Sequence, residues 1–365
     1  MDMDNLLNAR ETERDLHTMH TVEHPLIWLY IWPEPGKERE NQKILRLFAM
    51  LEIAPALLHT ERKLAMLQEH LTTNEVACMR VGVGLPSTVP GVKGQLLLEW
   101  ACRADEGPFS SLGVLDRLAY DSYEPLITLA TAAAVTGRVK LATTIVIGPL
   151  HNTAMLAKAA ASLDALSNGR LVLGLAVGAR KEDYDSAGID YRGRGKRLSE
   201  QISTLRSTWE DSIICPAAVR PGGPDLLIGG LSDRGYARMA RYAGGYVHGG
   251  GPPRAFARAA DKARAAWSDA GRAGSPQLWA QGYFALGDDT IKDAGYRYLR
   301  DYYAFTGPFA ERIGAFLLTS PQAIAQFMRG YEEAGCDELV LFPTVPKLAQ
   351  LDRLAEIVPQ SRAFS

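Results

Sequence analysis

The sequence predicts an α/β fold: a (β/α)8 TIM barrel behind an N-terminal extension of partly helical character. From Met79 onward, apolar runs of strand length alternate with stretches of helical period, which means βαβ units and parallel pairing. The runs number eight, and eight units within residues 79–358 match the size of such a barrel, about 250 residues. The runner-up, a doubly wound dinucleotide-binding sheet, needs G-x-G-x-x-G between a strand and a helix. Here Gly82 and Gly84 lie inside the first run and Pro86 follows.

Strands are expected at 80–86, 111–116, 139–148, 170–178, 225–230, 244–250, 278–286 and 337–343. Between them, apolar residues at helical spacing predict helices at 124–137, 152–169, 195–211, 233–244, 252–271 and 320–335. Gly137, Gly169, Gly244, Gly271 and Gly335 end five of these, as left-handed C-caps require. The barrel domain is expected over 79–358, with a tail at 359–365.

Residues 1–78 differ in character. They hold His17, His20, His24, His59 and His70, five of the seven histidines. One amphipathic helix is expected from about Asn41 to Leu71, interrupted at Pro55. The segment reads as an appendage, either poorly packed or an over-extended start, with Met79 opening the first clean strand. His17, His20 and His24 could share a helix face, but solvated histidines are the simpler reading, and no metal site is expected.

Composition bounds the function. A charged content of 22% and a net charge of −2 give no field that favours nucleic acid or an anionic membrane. Cys78, Cys102, Cys215 and Cys336 are scattered, with no CxxC pair, so neither zinc nor a disulfide framework is expected. The apolar run at 25–32 is far shorter than the ~20 residues that span a bilayer. The N-terminus lacks the basic-then-apolar layout of a signal peptide, and a cytoplasmic protein is expected.

The chemistry of a barrel sits at the C-terminal strand ends. Here those ends are mostly small, apolar and glycine-rich, as in GRLVLGLAVGARKEDY (169–184). From Met79 onward only His151 and His248 are present, too few for a metal-dependent hydrolase. Asp116 has no partner carboxylate at another strand end, as a glycosidase would need, and no G-x-S-x-G elbow occurs. A large, flat, mostly neutral cofactor fits better: it needs apolar walls, close backbone approach and a few donors.

Three features sharpen that reading. Thr143 and Thr144 end the third strand and either offer hydroxyls to a ring edge or fill the strand. Gly229 and Gly230 precede Ser232 and a helix, where freed N–H groups and the helix N-terminus suit a phosphate, unless this is an ordinary capped turn. Ala176, Val177 and Gly178 lead to Arg180 and Tyr184, which could reach a phosphate or ribityl hydroxyls; Tyr184 could equally be a packing residue. The run Arg192, Arg194, Lys196 and Arg197 could meet an anionic tail or form a solvated face.

These residues resemble the luciferase-like flavin-dependent monooxygenases, including their deazaflavin (F420)-dependent branch. The likeness covers nearly all of 79–358 and is most specific in LAKAAASLDALSNGRLVLGLAVGARKEDYDSAGIDYRGRGKRLSEQISTLRSTW, with IGGLS, ARYAGGYV and AGCDELVLFP as further landmarks. It implies a barrel that holds FMN, or F420 in the alternative, with the ring near the third and fourth strand ends and the phosphate near Gly229–Ser232. It also implies a non-proline cis peptide around Ile145 to Gly148. Two departures stand out: Thr153 where the family commonly has Pro, and Ala176 in place of a glycine.

The activity implied is oxygenation of a small organic substrate by reduced FMN and O2, with reduced flavin from a separate reductase. F420-dependent hydride transfer and a non-catalytic flavin carrier are the alternatives. His151 is the first candidate for a proton-handling group and Asp116 the second, although Asp116 could instead pair with Arg117. The aromatic segment 295–314 could be a lid, an oligomer contact or a packed helix, and a homo-oligomer is expected.

Overall fold

The computed structural model describes residues 78–211, 216–217 and 219–362. The helix expected between Asn41 and Leu71, His17, His20, His24 and Cys215 lie outside the described residues. Eight parallel strands close into a barrel in sequence order. They are β1 (Arg80–Gly84), β2 (Ser111–Val114), β3 (Lys140–Ile147), β4 (Leu171–Ala176), β5 (Asp225–Gly229), β6 (Gly245–His248), β7 (Gln277–Phe284) and β8 (Glu338–Pro343). Closure is the β1–β8 ladder, with Arg80 opposite Glu338 and Val83 opposite Leu341. All strands but β8 end a little before the apolar runs do, because residues beyond the ladder, such as Leu85, Leu115 and Ala285, stay buried at the mouth.

The helices are α1 (Gly94–Glu106), α2 (Pro125–Val135), α3 (Thr153–Leu166), α4 (Lys181–Ala187), α5 (Arg194–Glu210), α6 (Asp233–Tyr242), α7 (Pro253–Asp269), α8 (Asp289–Tyr302), α9 (Phe309–Gly314), α10 (Pro321–Glu333) and α11 (Leu348–Arg362). The predicted tail therefore begins inside α11, which runs through Pro359. No helix among the described residues is long and apolar enough to cross a membrane.

Strand residues are buried on both faces, as a parallel barrel demands, and the period of two sorts them into two layers. Leu141, Leu171, Leu173, Leu226, Ile228, Leu278, Leu339 and Leu341 pack outward among helix residues such as Trp100, Leu205 and Phe256. Ala142, Val172, Leu227, Val247, Trp279, Val340 and Phe342 form a second layer in the lumen. Phe342 occupies the space that side chains at Gly84 and Gly113 would take: a Cβ there would stand 2.1 and 2.9 Å from its ring.

The N-terminal end of the barrel is closed largely by hydrogen-bonded polar groups, with Asp164 Oδ1 and Arg220 Nε as buried exceptions among the described residues. Glu338, fully buried, accepts from the hydroxyls of Ser110 and Ser111 at 2.5 and 2.6 Å and from Arg80 Nε at 2.9 Å. Asp105 accepts from the backbone N–H groups of Gly137, Arg138 and Val139. Arg138 and Arg170 each donate to several carbonyls around them. Gly169, Gly271 and Gly335 adopt the positive φ expected of C-caps. Gly137 and Gly244 do not: their N–H groups are taken by Asp105 and by the Leu226 carbonyl, so the chain turns there by starting the next strand.

Candidate functional site

At the opposite end, the C-terminal strand ends surround a cavity of about 370 Å³. A larger hollow of about 570 Å³ near Phe327 lies on the outer flank between α7 and α10, away from the strand ends where barrel chemistry is built. The mouth cavity is lined mostly by small or apolar residues, among them Ile145, Ile147, Ala176, Gly229 and Val247.

A bulge shapes one wall. The β3–β4 register shifts between Thr143 and Val146, and the Thr144–Ile145 peptide within it is cis. A bulge leaves ladder groups unpaired and re-aims side chains. The Thr143 hydroxyl fills the gap: it donates to the Gly174 carbonyl and accepts from the Gly174 N–H, both at 2.8 Å. Thr143 is thus spent inside the sheet, whereas Thr144 and Ile145 face the cavity. The small residues of β4 follow: a Cβ at Gly174 would stand 2.2 Å from the Thr143 carbonyl oxygen. Gly178 has φ +66°, and a Cβ there would meet Ile147 Cγ2 at 2.8 Å. Ala176, between them, lines the cavity.

The other expected residues separate in the same way. Gly229 and Gly230 line the cavity; a Cβ at Gly229 would lie 3.3 Å from Ala176 Cβ, whereas Gly230, at φ +127°, faces open space. Ser232 caps α6 by accepting from the Gly235 N–H and is exposed. Tyr184 is fully buried, donates to the Val177 carbonyl and packs edge-on against Tyr191, so both Tyr184 and Val177 serve the wall behind the cavity. The basic run stays outside: Lys196 is solvated beside Glu200 and Arg194 stacks on Tyr191.

Asp116 and His151 come together. Asp116, 9% exposed, lines the cavity and accepts from the Ile147 N–H at 2.8 Å. His151 Nε2 lies 3.6 Å from the same carboxylate oxygen, with its side chain 26% exposed. Arg117 does not pair with Asp116; its Nε faces Asp183 at 3.5 Å. His248, the other strand-end histidine, is buried, accepts from the Gly250 N–H and has its pKa pulled down by burial to about 4.

Further cavity residues, among them Leu115, Val247 and Gln281, fall outside the expected set, and the aromatic segment 295–314 contributes three more. The segment after β7 folds over the mouth, and Tyr302, Tyr303 and Phe305 line the cavity from that side. It is tied to the barrel by the Tyr283–Tyr303 hydroxyl pair at 2.7 Å and the Thr88–Tyr298 pair at 2.8 Å. Burial pushes the pKa of Tyr302 and of Tyr303 up, so both phenols stay neutral. Tyr296 and Phe309 of this segment remain partly exposed. Gln281 of β7 lines the cavity as well; its parity with Trp279 points it into the lumen, a signal the alternation carried.

The luciferase-like monooxygenase model matches residues 79–335. The chain belongs to this family. An uncharacterized protein of Mycobacterium tuberculosis is 28% identical over 173 residues, 43% of this chain and 60% of that protein. A pyrimidine monooxygenase, RutA, of Methylobacterium radiotolerans is 31% identical over 172 residues, 41% of this chain and 44% of its own. The matched stretch thus spans under two thirds of these relatives' length. Two solved structures share the fold. An F420-dependent secondary alcohol dehydrogenase with an F420–acetone adduct has a TM-score of 0.64 at 16% identity, covering 77% of this chain and 98% of its own. The 3,6-diketocamphane monooxygenase of Pseudomonas putida, in complex with FMN, has a TM-score of 0.56 at 17% identity, covering 72% and 91%.

Proposed function

We propose that the protein is a flavin-dependent oxidoreductase, a monooxygenase that uses reduced FMN and O2 on a small organic substrate. One observation carries this: a mouth cavity with small and apolar walls that nonetheless holds buried polar atoms without a protein partner. Thr144 Oγ1 and Gln281 Oε1 lack one among the described residues, and both residues line the cavity. Buried polar atoms are normally hydrogen-bonded, so these two are suited to a ligand with scattered donors and acceptors on an otherwise apolar body. The tricyclic ring of a flavin fits that description. Gly229 and Gly230 would give its tail close backbone approach.

Reduced FMN, when bound, supplies the electrons that activate O2. The chain's own residues bind, orient and keep out water: Ile145, Ile147 and Val247 wall the cavity, and the Tyr302–Phe305 segment covers it. Asp116 and His151 link the cavity edge to solvent, where a proton can be held between Oδ2 and Nε2. The names of two relatives support oxygenation, since one is a flavin-dependent trigonelline monooxygenase component of Acinetobacter baylyi, 36% identical over 88 residues, and the other is the pyrimidine monooxygenase. A separate reductase would supply the reduced flavin. Titration with FMN and with F420, followed by fluorescence, tests the reading: FMN should bind with a dissociation constant of about 10 μM or tighter, and F420 more weakly. Stronger F420 binding would move the chain to hydride transfer. Tight FMN binding without O2 uptake across substrate trials, with a reductase supplied, would make it a carrier.

A further inference from the structure

Arg180 is the one arginine among the described residues that is buried, and it is partnered differently from the others. Arg138 and Arg170 spend their guanidinium donors on ring-like sets of carbonyls, and Arg117 has Asp183. Arg180 is 8% exposed, lines the mouth cavity and makes one hydrogen bond among the described residues, from Nη2 to the Tyr302 carbonyl at 3.1 Å. Among the described residues its Nε has no partner and no carboxylate pairs with it. Its guanidinium carbon stands 4.4 Å from the ring centres of both Tyr302 and Phe305, which fixes the plane without neutralising the charge. Arg117 Nη1 donates to the same Tyr302 carbonyl at 3.2 Å, and burial together with the like charge of Arg180 lowers the Arg117 pKa. Asp116, the carboxylate on this cavity, is engaged by Ile147 and His151 instead.

A buried cation without a counter-ion is costly, and a planar guanidinium with free donors matches an oxyanion's geometry. We infer that Arg180, with Arg117 behind it, is the recognition point for a carboxylate on the substrate, and that Tyr302, Tyr303 and Phe305 select a planar ring to carry it. The inference rests on the flavin reading in placing substrate and cofactor in one cavity. The carboxylate is assigned to the substrate because the guanidinium lies against the segment that covers the mouth, whereas the glycines suited to a cofactor's phosphate lie at the end of β5.

The test uses benzoate and its neutral isostere benzamide as probes, with calorimetric titration of the full chain, both FMN-loaded and flavin-free. Wild type should bind benzoate about tenfold more tightly than benzamide. Arg180→Met should bring the two within about twofold, and Arg180→Lys should keep part of the preference. FMN affinity of the variants, unchanged within about threefold, reports an intact mouth. Equal binding of the two probes by wild type overturns the inference, and that comparison needs no variant. Loss of FMN affinity in Arg180→Met without loss of riboflavin affinity also overturns it, by assigning Arg180 to the cofactor's phosphate. If FMN fails to bind at all, the flavin reading falls alone, because the benzoate–benzamide difference on the flavin-free chain still decides the role of Arg180.

Discussion

The two ends of the barrel treat their polar groups in opposite ways. At the N-terminal end, Glu338, Asp105, Arg138 and Arg170 find partners within the chain. At the C-terminal end, Thr144, Gln281 and Arg180 keep buried polar atoms without one. An unmet buried donor or acceptor costs about 1–3 kcal/mol, so the mouth carries a deficit at three residues facing its cavity, while the bonded groups of the base support it. The difference separates stability from binding along one axis of the molecule.

The largest expected effect breaks the base. Glu338→Ala strands the hydroxyls of Ser110 and Ser111 and opens a small void, and should cost about 3–4 kcal/mol. Denaturant unfolding would show the loss, while the FMN affinity of the folded fraction stays unchanged. A binding defect as large as the stability defect would show that the two ends are not independent.

Acid should come next. Burial draws the His248 pKa from 6.5 to about 4, so between those values the unfolded chain takes up a proton that the folded chain refuses. Stability present above pH 6.5 is then lost as pH falls towards 4, by about 3 kcal/mol from this group. Thermal melts from pH 7 to pH 4 of wild type and His248→Gln measure it: the variant's curve should be flatter over that range.

At the mouth the order reverses. Asp116→Asn keeps an oxygen for the Ile147 N–H but removes the charge beside His151. Turnover with saturating reduced flavin should fall about 100-fold, with little change in melting temperature. A variant of unchanged rate would make the pair a structural one. The smallest effect is Gln281→Leu. The change removes an unpartnered acceptor but also the Nε2 donation to the Gly249 carbonyl, so stability should fall by no more than about 1 kcal/mol, while FMN binding weakens about tenfold.

The barrel was legible because burial on both strand faces writes continuous apolar runs, and eight of them leave few alternatives. Gly229, Gly230, Ala176 and Thr144 were legible as cavity residues because they end strands. Thr143 and Tyr184 were not separable from them: their hydroxyls go to Gly174 and Val177, partners set by the β3–β4 bulge and by the path of α4. Tyr302, Tyr303 and Phe305 could be named as an aromatic cluster but not placed, since no period says where a segment between β7 and β8 folds back. Helix α1 carried a signal that went unused, with Leu97, Trp100, Ala101 and Ala104 at helical spacing on one buried face.

The strict two-residue alternation has an evolutionary consequence. Deleting one residue from β7 would swing Gln281 out among the helices and put Ala280 or Gly282 in its place, so the reading frame of each strand is locked. Novelty in this chain can enter by exchange of single side chains at the rim, or by lengthening the connections above it. The stretch carrying Tyr302 to Phe305 is such a connection, and grafting a different one onto the same strands would re-target the catalyst without disturbing its frame.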